Sequence, residues 1–236
     1  MEFFQIQFPT PSLRRKEVRL KALLRRETER LRENPQIDLP SILTFAGEFH
    51  ARYQAWQNEA LKQHQEPILC AKGCSNCCQH YPMSIEPFEA ILLYAQLRQR
   101  PDFTRILEEC WRRVQAFGRL KEQVGGELND EQEDAVLQSY FSLGLRCPLL
   151  NEAGDCSVHS LRPVTCRMYF SYSDPRFCSP EHLLLPENRS FHICLPDTIE
   201  EDIGEINTLY DPFGLDEALY DSLLRLNGLE GDGIFQ

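Results

Sequence analysis

Residues 70–78 read CAKGCSNCC, four cysteines in nine positions with the last two adjacent. Cys74-Ser-Asn-Cys77 is a C-x2-C loop, a spacing that lets two thiolates face one ion at about 2.3 Å each. Gly73 ahead of it leaves the backbone free to turn tightly. Cys77 and Cys78 are poor disulfide partners for each other, because the ring they would close is strained. As neighbours their side chains are expected to diverge, so both need not serve one ion. Four thiols do not complete two ligand sets, and the stretch therefore calls for a second group elsewhere in the chain.

That group lies far along the sequence, at Cys147, Cys156, Cys166, Cys178 and Cys194. Cys147 and Cys156 bracket most of CPLLNEAGDCSVH, which reads as two very short strands round a glycine-containing turn. Such a hairpin brings the two thiols together. In RPVTCRMYF, Pro163 suits the first turn of a helix, and Cys166 near a helix start would be favoured as thiolate. Cys178 and Cys194 lie in a loop-like region, 171–196, punctuated by Pro175, Pro180, Pro186 and Pro196. The tenth cysteine, Cys110 in LEECWRR, reads as an ordinary buried thiol far from the clusters. The two distant groups are expected to meet in space.

The surrounding chain sets the compartment. The N-terminus, MEFFQIQFPTPSLRRKEV, lacks the basic-then-apolar order of a secretory signal. No segment approaches the roughly 20 apolar residues of a membrane span. A cytoplasmic protein without a membrane partner is expected, and in a reducing compartment cysteines ligate metal rather than form disulfides. Net charge is −11, but residues 11–33 carry nine Lys/Arg against four Glu, and residues 197–236 carry eleven Asp/Glu against one Arg. Overall acidity argues against nucleic acid. The basic helix reads as a solvated face and 197–236 as an acidic, soluble tail; the sharper alternative is that the basic helix touches an acidic partner, either another protein or the chain's own C-terminal segment.

Helical periodicity dominates elsewhere, and no run of strands alternates with helices. Leu13, Leu20, Leu24 and Leu31 form a narrow stripe on 11–33, which contains no cysteine or histidine and reads as dispensable for metal binding. Residues 41–66 carry Ile42, Phe45, Ala46, Phe49, Tyr53, Trp56 and Ala60 at helical steps, with Ser41 as candidate N-cap. Ser84 is the candidate N-cap of SIEPFEAILLYAQLRQR. Helices are also expected over 102–123, 130–145, DTIEEDIGEINTLY and DEALYDSLLRL. The fold class is mainly α: a helical domain with a small, strand-poor, cysteine-rich metal-binding region containing a short β-hairpin. Three segments are expected: an N-terminal helical extension (1–66), a cysteine-cluster metal-binding domain (67–196) and an acidic helical C-terminal segment (197–236).

CAKGCSNCCQHYPMSIEPFEAILLY followed by RCPLLNEAGDCSVHSLRPVTCRMYF resembles the YkgJ-like cysteine-cluster family, the CxxCxxCC type. The matching positions are Cys70, Cys74, Cys77, Cys78, Glu89, Cys147, Pro148, Leu150, Cys156, His159, Arg162, Pro163, Cys166, Arg167 and Tyr169. His159 stands where a Tyr is common. The resemblance implies chelation of zinc or iron, with an iron–sulfur cluster as a variant, and does not imply a known reaction. The family usually shows eight motif cysteines, whereas nine are available here without Cys110, so the choice between Cys178 and Cys194 stays open.

Cys70-x3-Cys74-x2-Cys77 also has the spacing used by radical S-adenosylmethionine enzymes, and a distantly related motif occurs in flagellin lysine methylases. Gly125–Glu127 imitates their GGE. Against a methylase-like activity stands the lack of repeated strand–helix units. Metal delivery or sensing is the remaining alternative. The expected ligands are Cys70, Cys74, Cys77, Cys78, Cys147, Cys156, Cys166, Cys178 and Cys194. His80 and His192 flank cysteines and fit a hydrogen-bonding role better than ligation. Lys72, Arg146, Arg162 and Arg167 lie within four residues of these cysteines and are expected to balance thiolate charge and donate N–H to sulfur. No phosphate loop, dinucleotide fingerprint, nucleophile elbow or H-E-x-x-H occurs, so ordinary hydrolase or dehydrogenase chemistry is unsupported.

Overall fold

Amphipathic helices build most of the chain, each starting where a cap or proline allows. The computed structural model describes residues 2–4, 6, 8–35, 38–125, 128–182, 184–210, 215 and 218–228. Helix α1 spans Pro11–Glu33, with the Thr10 hydroxyl accepting from the Leu13 N–H at 3.3 Å. Helix α2 spans Leu39–Leu61. Its N-cap is Asp38, whose carboxylate accepts the Ser41 N–H at 2.9 Å, so Ser41 lies inside the first turn and is not the cap. Pro40 fits there because first-turn N–H groups have no helical acceptor. Helix α3, Pro87–Leu97, begins later than Ser84. Pro87 forces the residue before it into extended backbone. Ser84, at φ 55°, turns the chain instead of capping it.

Helices α4 (Phe103–Val124) and α5 (Asp130–Ser142) follow, the second capped reciprocally by Asn129 and Gln132. Helices α6 (Asp197–Tyr210) and α7 (Leu219–Gly228) close the described chain. Among the described residues, none of these helices is long and apolar enough to cross a membrane. Gly126 and Glu127 of the GGE stretch, Asp216 and Glu217, and the acidic tail 229–236 lie outside the described residues.

Helix α3 is the centre of the packing. It is buried on nearly every side and meets α2, α6 and α7. Phe88 stands edge-on to Phe45 and Phe49, each at 5.0 Å between ring centroids, an arrangement that suits aromatic quadrupoles. The seven residues expected on the α2 stripe are all buried. One hydrophobic cluster runs from Leu13 to Leu226 and takes in all three expected segments. Helix α1 belongs to it, since Leu13, Leu20, Leu23, Leu24 and Leu31 are fully buried. The apolar stripe is therefore wider than its sequence spacing implies.

The polar side of α1 finds its acidic partner within the chain. Lys21 pairs with Asp202 at 3.8 Å, Arg32 pairs with Glu205, and the Tyr210 hydroxyl donates to Glu27 at 2.6 Å. The C-terminal segment is thus one of the partners the charge asymmetry pointed to.

The strands lie elsewhere than expected. Strands β1 (Glu2–Phe4), β2 (Tyr169–Ser171) and β3 (Ser190–Ile193) form one sheet in the order β1-β3-β2. The β2–β3 pair is antiparallel, with Phe170 opposite Phe191, and β1 runs parallel to β3. CPLLNEAGDCSVH makes only one isolated bridge, Leu150 to Cys156, because the turn Asn151–Gly154 leaves too little length for a ladder. The stretch after Pro163 forms a 3-10 turn, Thr165–Arg167, and then β2 rather than a helix. The region 171–196 contains β3 besides loops. The repeated strand–helix units of a radical-enzyme barrel are not found among the described residues.

Candidate metal centre

The 70–78 loop is held at both ends. The Leu69 N–H donates to the Ser171 carbonyl at the edge of β2 at 2.9 Å. Gly73 takes a left-handed φ of 83°, and Cys77–Gln79 forms a 3-10 turn. The Cys147 N–H donates to the Cys78 carbonyl at 2.8 Å, which joins the two distant cysteine groups directly. A second tie is the Asn76 amide, which donates to the Pro175 carbonyl at 2.5 Å and draws the Pro175–Cys178 turn onto the loop. Gly154 brings a third contact. At φ 84° it carries the 151–155 turn against the loop, and a Cβ there would lie 3.4 Å from the Gly73 carbonyl.

These ties gather eight thiols. Cys70 lies near Cys74, Cys77 and Cys178, close enough for their thiolates to raise its pKa. Cys78 lies near Cys77, Cys147 and Cys166. Cys166 lies near Cys147, Cys77 and Cys156. Cys77 and Cys78 hydrogen-bond to each other, so their thiols approach rather than diverge. Cys194 stands apart from this group: the charges acting on it are Glu200 and Asp197. Cys110 is fully buried in α4, as expected of a core thiol, but it lies near Cys147 and not far from the clusters.

Burial makes most of these groups thiols and not thiolates. It raises Cys70 to about 11 and pushes Cys74, Cys147, Cys156 and Cys166 upward. For Cys166 burial outweighs any help from a helix end, and the 3-10 turn supplies no macrodipole of length. Backbone donors act in the other direction. Cys74 receives the Asn76 N–H, Cys147 the Leu149 N–H and Cys156 the Val158 N–H, each from two residues downstream. Such bonds favour the charged form. The Tyr220 hydroxyl also reaches Cys147. No group of three or more Cys, His, Asp or Glu side chains among the described residues converges as a closed ligand set. The donor chemistry nonetheless suits a thiophilic ion, whose binding requires proton release and side-chain rotation.

The four basic residues divide. The Arg162 charge lowers the pKa of Cys77, Cys156 and Cys166, and its Nε is buried without a hydrogen-bond partner. Arg167 is buried and donates to the Arg162 carbonyl at 2.5 Å, to Gln54 at 2.8 Å and to the Ser160 carbonyl at 2.7 Å. Its charge reaches Cys156. The Arg146 guanidinium lies over Gly154, 3.2 Å from where a Cβ would stand. Lys72 faces solvent, with 89% of its side chain exposed, and pairs with Asp155 at 3.8 Å.

Several supporting residues stand outside the expected ligands, and of them only Glu89 belongs to the resembling pattern. Fully buried Glu89 accepts the Val164 N–H at 3.0 Å and the His50 Nε2–H at 2.7 Å, so α2 and α3 together hold the loop that carries Cys166. His50 is a buried residue of α2. The Arg113 guanidinium donates to the Arg146 carbonyl at 2.9 Å, beside Cys147. His80 stacks on Phe141 at 3.9 Å, and His192 stands edge-on to Tyr169 at 4.0 Å. Burial lowers both imidazoles to about 4 and keeps them neutral.

A cleft of about 960 Å³ opens beside the thiols. Cys77, Cys78, Cys147, Cys156 and Cys166 line it, and Glu200, Ile203 and Asn207 of α6 form part of another wall. Cys70, Cys74 and Cys178 do not line it. No curated protein and no solved structure matches the chain. Residues 69–182, which take in the 70–78 loop and Cys178 but stop short of Cys194, match the CxxCxxCC family model, described as "Putative zinc- or iron-chelating domain".

Proposed function

We propose that the chain is a cytoplasmic metal-chelating protein that holds zinc or iron on thiolates drawn from Cys70, Cys74, Cys77, Cys78, Cys147, Cys156, Cys166 and Cys178. The observation that carries the reading is the meeting of the two sequence-distant cysteine groups, fastened by the Cys147 N–H on the Cys78 carbonyl at 2.8 Å. Eight thiols so placed would be costly to ionise without a cation, and a cationic centre removes that cost. Arg162 supplies positive charge at the junction, and backbone N–H groups orient individual sulfurs.

Bound zinc would cross-link this strand-poor region, and bound iron would add redox chemistry. Delivery or sensing is a second reading, favoured by the cleft, because metal exchange needs a path by which a donor or acceptor reaches the thiols. The deciding experiment is aerobic and anaerobic purification followed by elemental analysis and a visible spectrum. Zinc or iron is expected in stoichiometric amount. Cys74→Ser and Cys166→Ser should lose metal, and Cys110→Ser should keep it. Trace metal under both conditions would overturn the reading.

A further inference from the structure

We infer that the eight thiols form two neighbouring centres, divided between the adjacent residues Cys77 and Cys78. The outer centre is Cys70, Cys74, Cys77 and Cys178, and the inner centre is Cys78, Cys147, Cys156 and Cys166. This rests on the chelation reading and adds the number of centres and the ligands of each.

The neighbourhoods carry the division. Cys70 and Cys74 lie near Cys77 and Cys178 and stand off the cleft that Cys147, Cys156 and Cys166 line. Cys78 and Cys166 feel Cys147, and Cys147 feels Cys156. Cys77 is the link between the sets, to Cys78 and to Cys166. Each set contains four thiols, the number a closed tetrahedral site uses.

Backbone geometry allows the cut. Cys77 and Cys78 open a 3-10 turn, in which successive side chains are rotated by about 120°. One can therefore serve each centre while the two stay in contact. Asn76 on the Pro175 carbonyl brings Cys178 to the outer set, and Cys147 on the Cys78 carbonyl closes the inner one. Arg162 stands at the junction, acting on Cys77 of one set and on Cys156 and Cys166 of the other. Cys194 is excluded by its place: it does not line the cleft, and its N–H donates to the Phe4 carbonyl at the end of β1. The inner four all line the cleft, whereas three of the outer four do not. The two centres thus differ in surroundings.

The test is anaerobic titration of the reduced full chain with cobalt(II), followed by zinc displacement, native mass spectrometry and near-ultraviolet circular dichroism. The unaltered chain should saturate at two ions, with equal thiolate-to-cobalt charge transfer for each. Cys74→Ser and Cys178→Ser should each saturate at one ion, as should Cys147→Ser and Cys156→Ser. The double variant Cys74→Ser/Cys178→Ser should still hold one, and Cys194→Ser should hold two. Saturation of the unaltered chain at one ion would overturn the division while leaving chelation intact. So would Cys178→Ser keeping two ions, or Cys194→Ser dropping to one. A folded single-serine variant that loses both ions would point to one shared centre. Uptake of neither cobalt nor zinc would bring down the chelation reading itself. Should a serine variant lose its near-ultraviolet signal, the stoichiometry and per-ion charge transfer of the unaltered chain still decide.

Discussion

Arg162 shows how one side chain gains its role from what surrounds it. Its Nε is buried without a hydrogen-bond partner, and its charge favours the thiolates of Cys77, Cys156 and Cys166. A guanidinium desolvated in this way is stabilised by the negative charge that four thiolates around a divalent ion leave behind. Arg162→Gln is expected to weaken metal retention against a chelator by about tenfold or more, with Arg162→Lys between the two. Indistinguishable chelator competition curves would assign the arginine to a partner or substrate instead. Proximity in sequence selected four basic residues, and three-dimensional placement separates them. Lys72 is closer to a cysteine along the chain than Arg162 is, yet it points to solvent. The choice between Cys178 and Cys194 was unreadable for a similar reason. It depends on Asn76 reaching the Pro175 carbonyl, a contact with no local signal.

Secondary elements were the most legible level where burial follows period. Helix α1 was expected at 11–33 and spans Pro11–Glu33, and the α2 stripe is buried residue for residue. Short strands were not legible, because a three- or four-residue strand is defined by its partner and not by its own pattern. Strand β1 pairs with β3 at the opposite end of the chain. The reach of α1 into the core was also hidden, since Leu23 is buried although it lies off the expected stripe, and α1 packs against both α2 and α6. The five buried leucines of α1 contribute on the order of 10 kcal/mol, as much as the whole stability of a typical domain. Deleting 11–33 should therefore abolish the near-ultraviolet dichroism as well as metal binding, and Leu24→Ala should cost about 2–5 kcal/mol in denaturant unfolding. A folded, metal-loaded deletion would restore the reading of α1 as an appendage. Glu89 links helices to the metal loop. Glu89→Ala leaves the Val164 N–H and His50 without their acceptor and should cost about 3 kcal/mol or more, whereas Glu89→Gln keeps an acceptor oxygen and should cost less. Equal losses in the two variants would show that the acceptor is not what matters.

At the scale of the whole molecule, metal, protons and folding are linked through the same thiols. Without metal, burial holds Cys70 at about 11 and Cys110 at about 12 against an ordinary value of 9.0, and four other cluster thiols are also raised. The unfolded chain then releases protons at lower pH than the folded one, so metal-free stability should fall as pH rises through 9 toward 11. With metal, folded ligand sulfurs carry no proton while the unfolded chain keeps its thiols protonated below about 9. The metal-bound form should therefore gain stability with pH up to about 9. At the acid end the two forms share one feature. Folding lowers His80 and His192 from 6.5 to about 4, so both lose stability as pH falls through that interval. Denaturant midpoints of both forms between pH 5 and pH 10 should run downward together in acid and diverge above neutrality, rising for the loaded protein and, beyond pH 9, falling for the stripped one. Curves that stayed parallel above pH 7 would show that the buried thiols are not the groups that bind the metal.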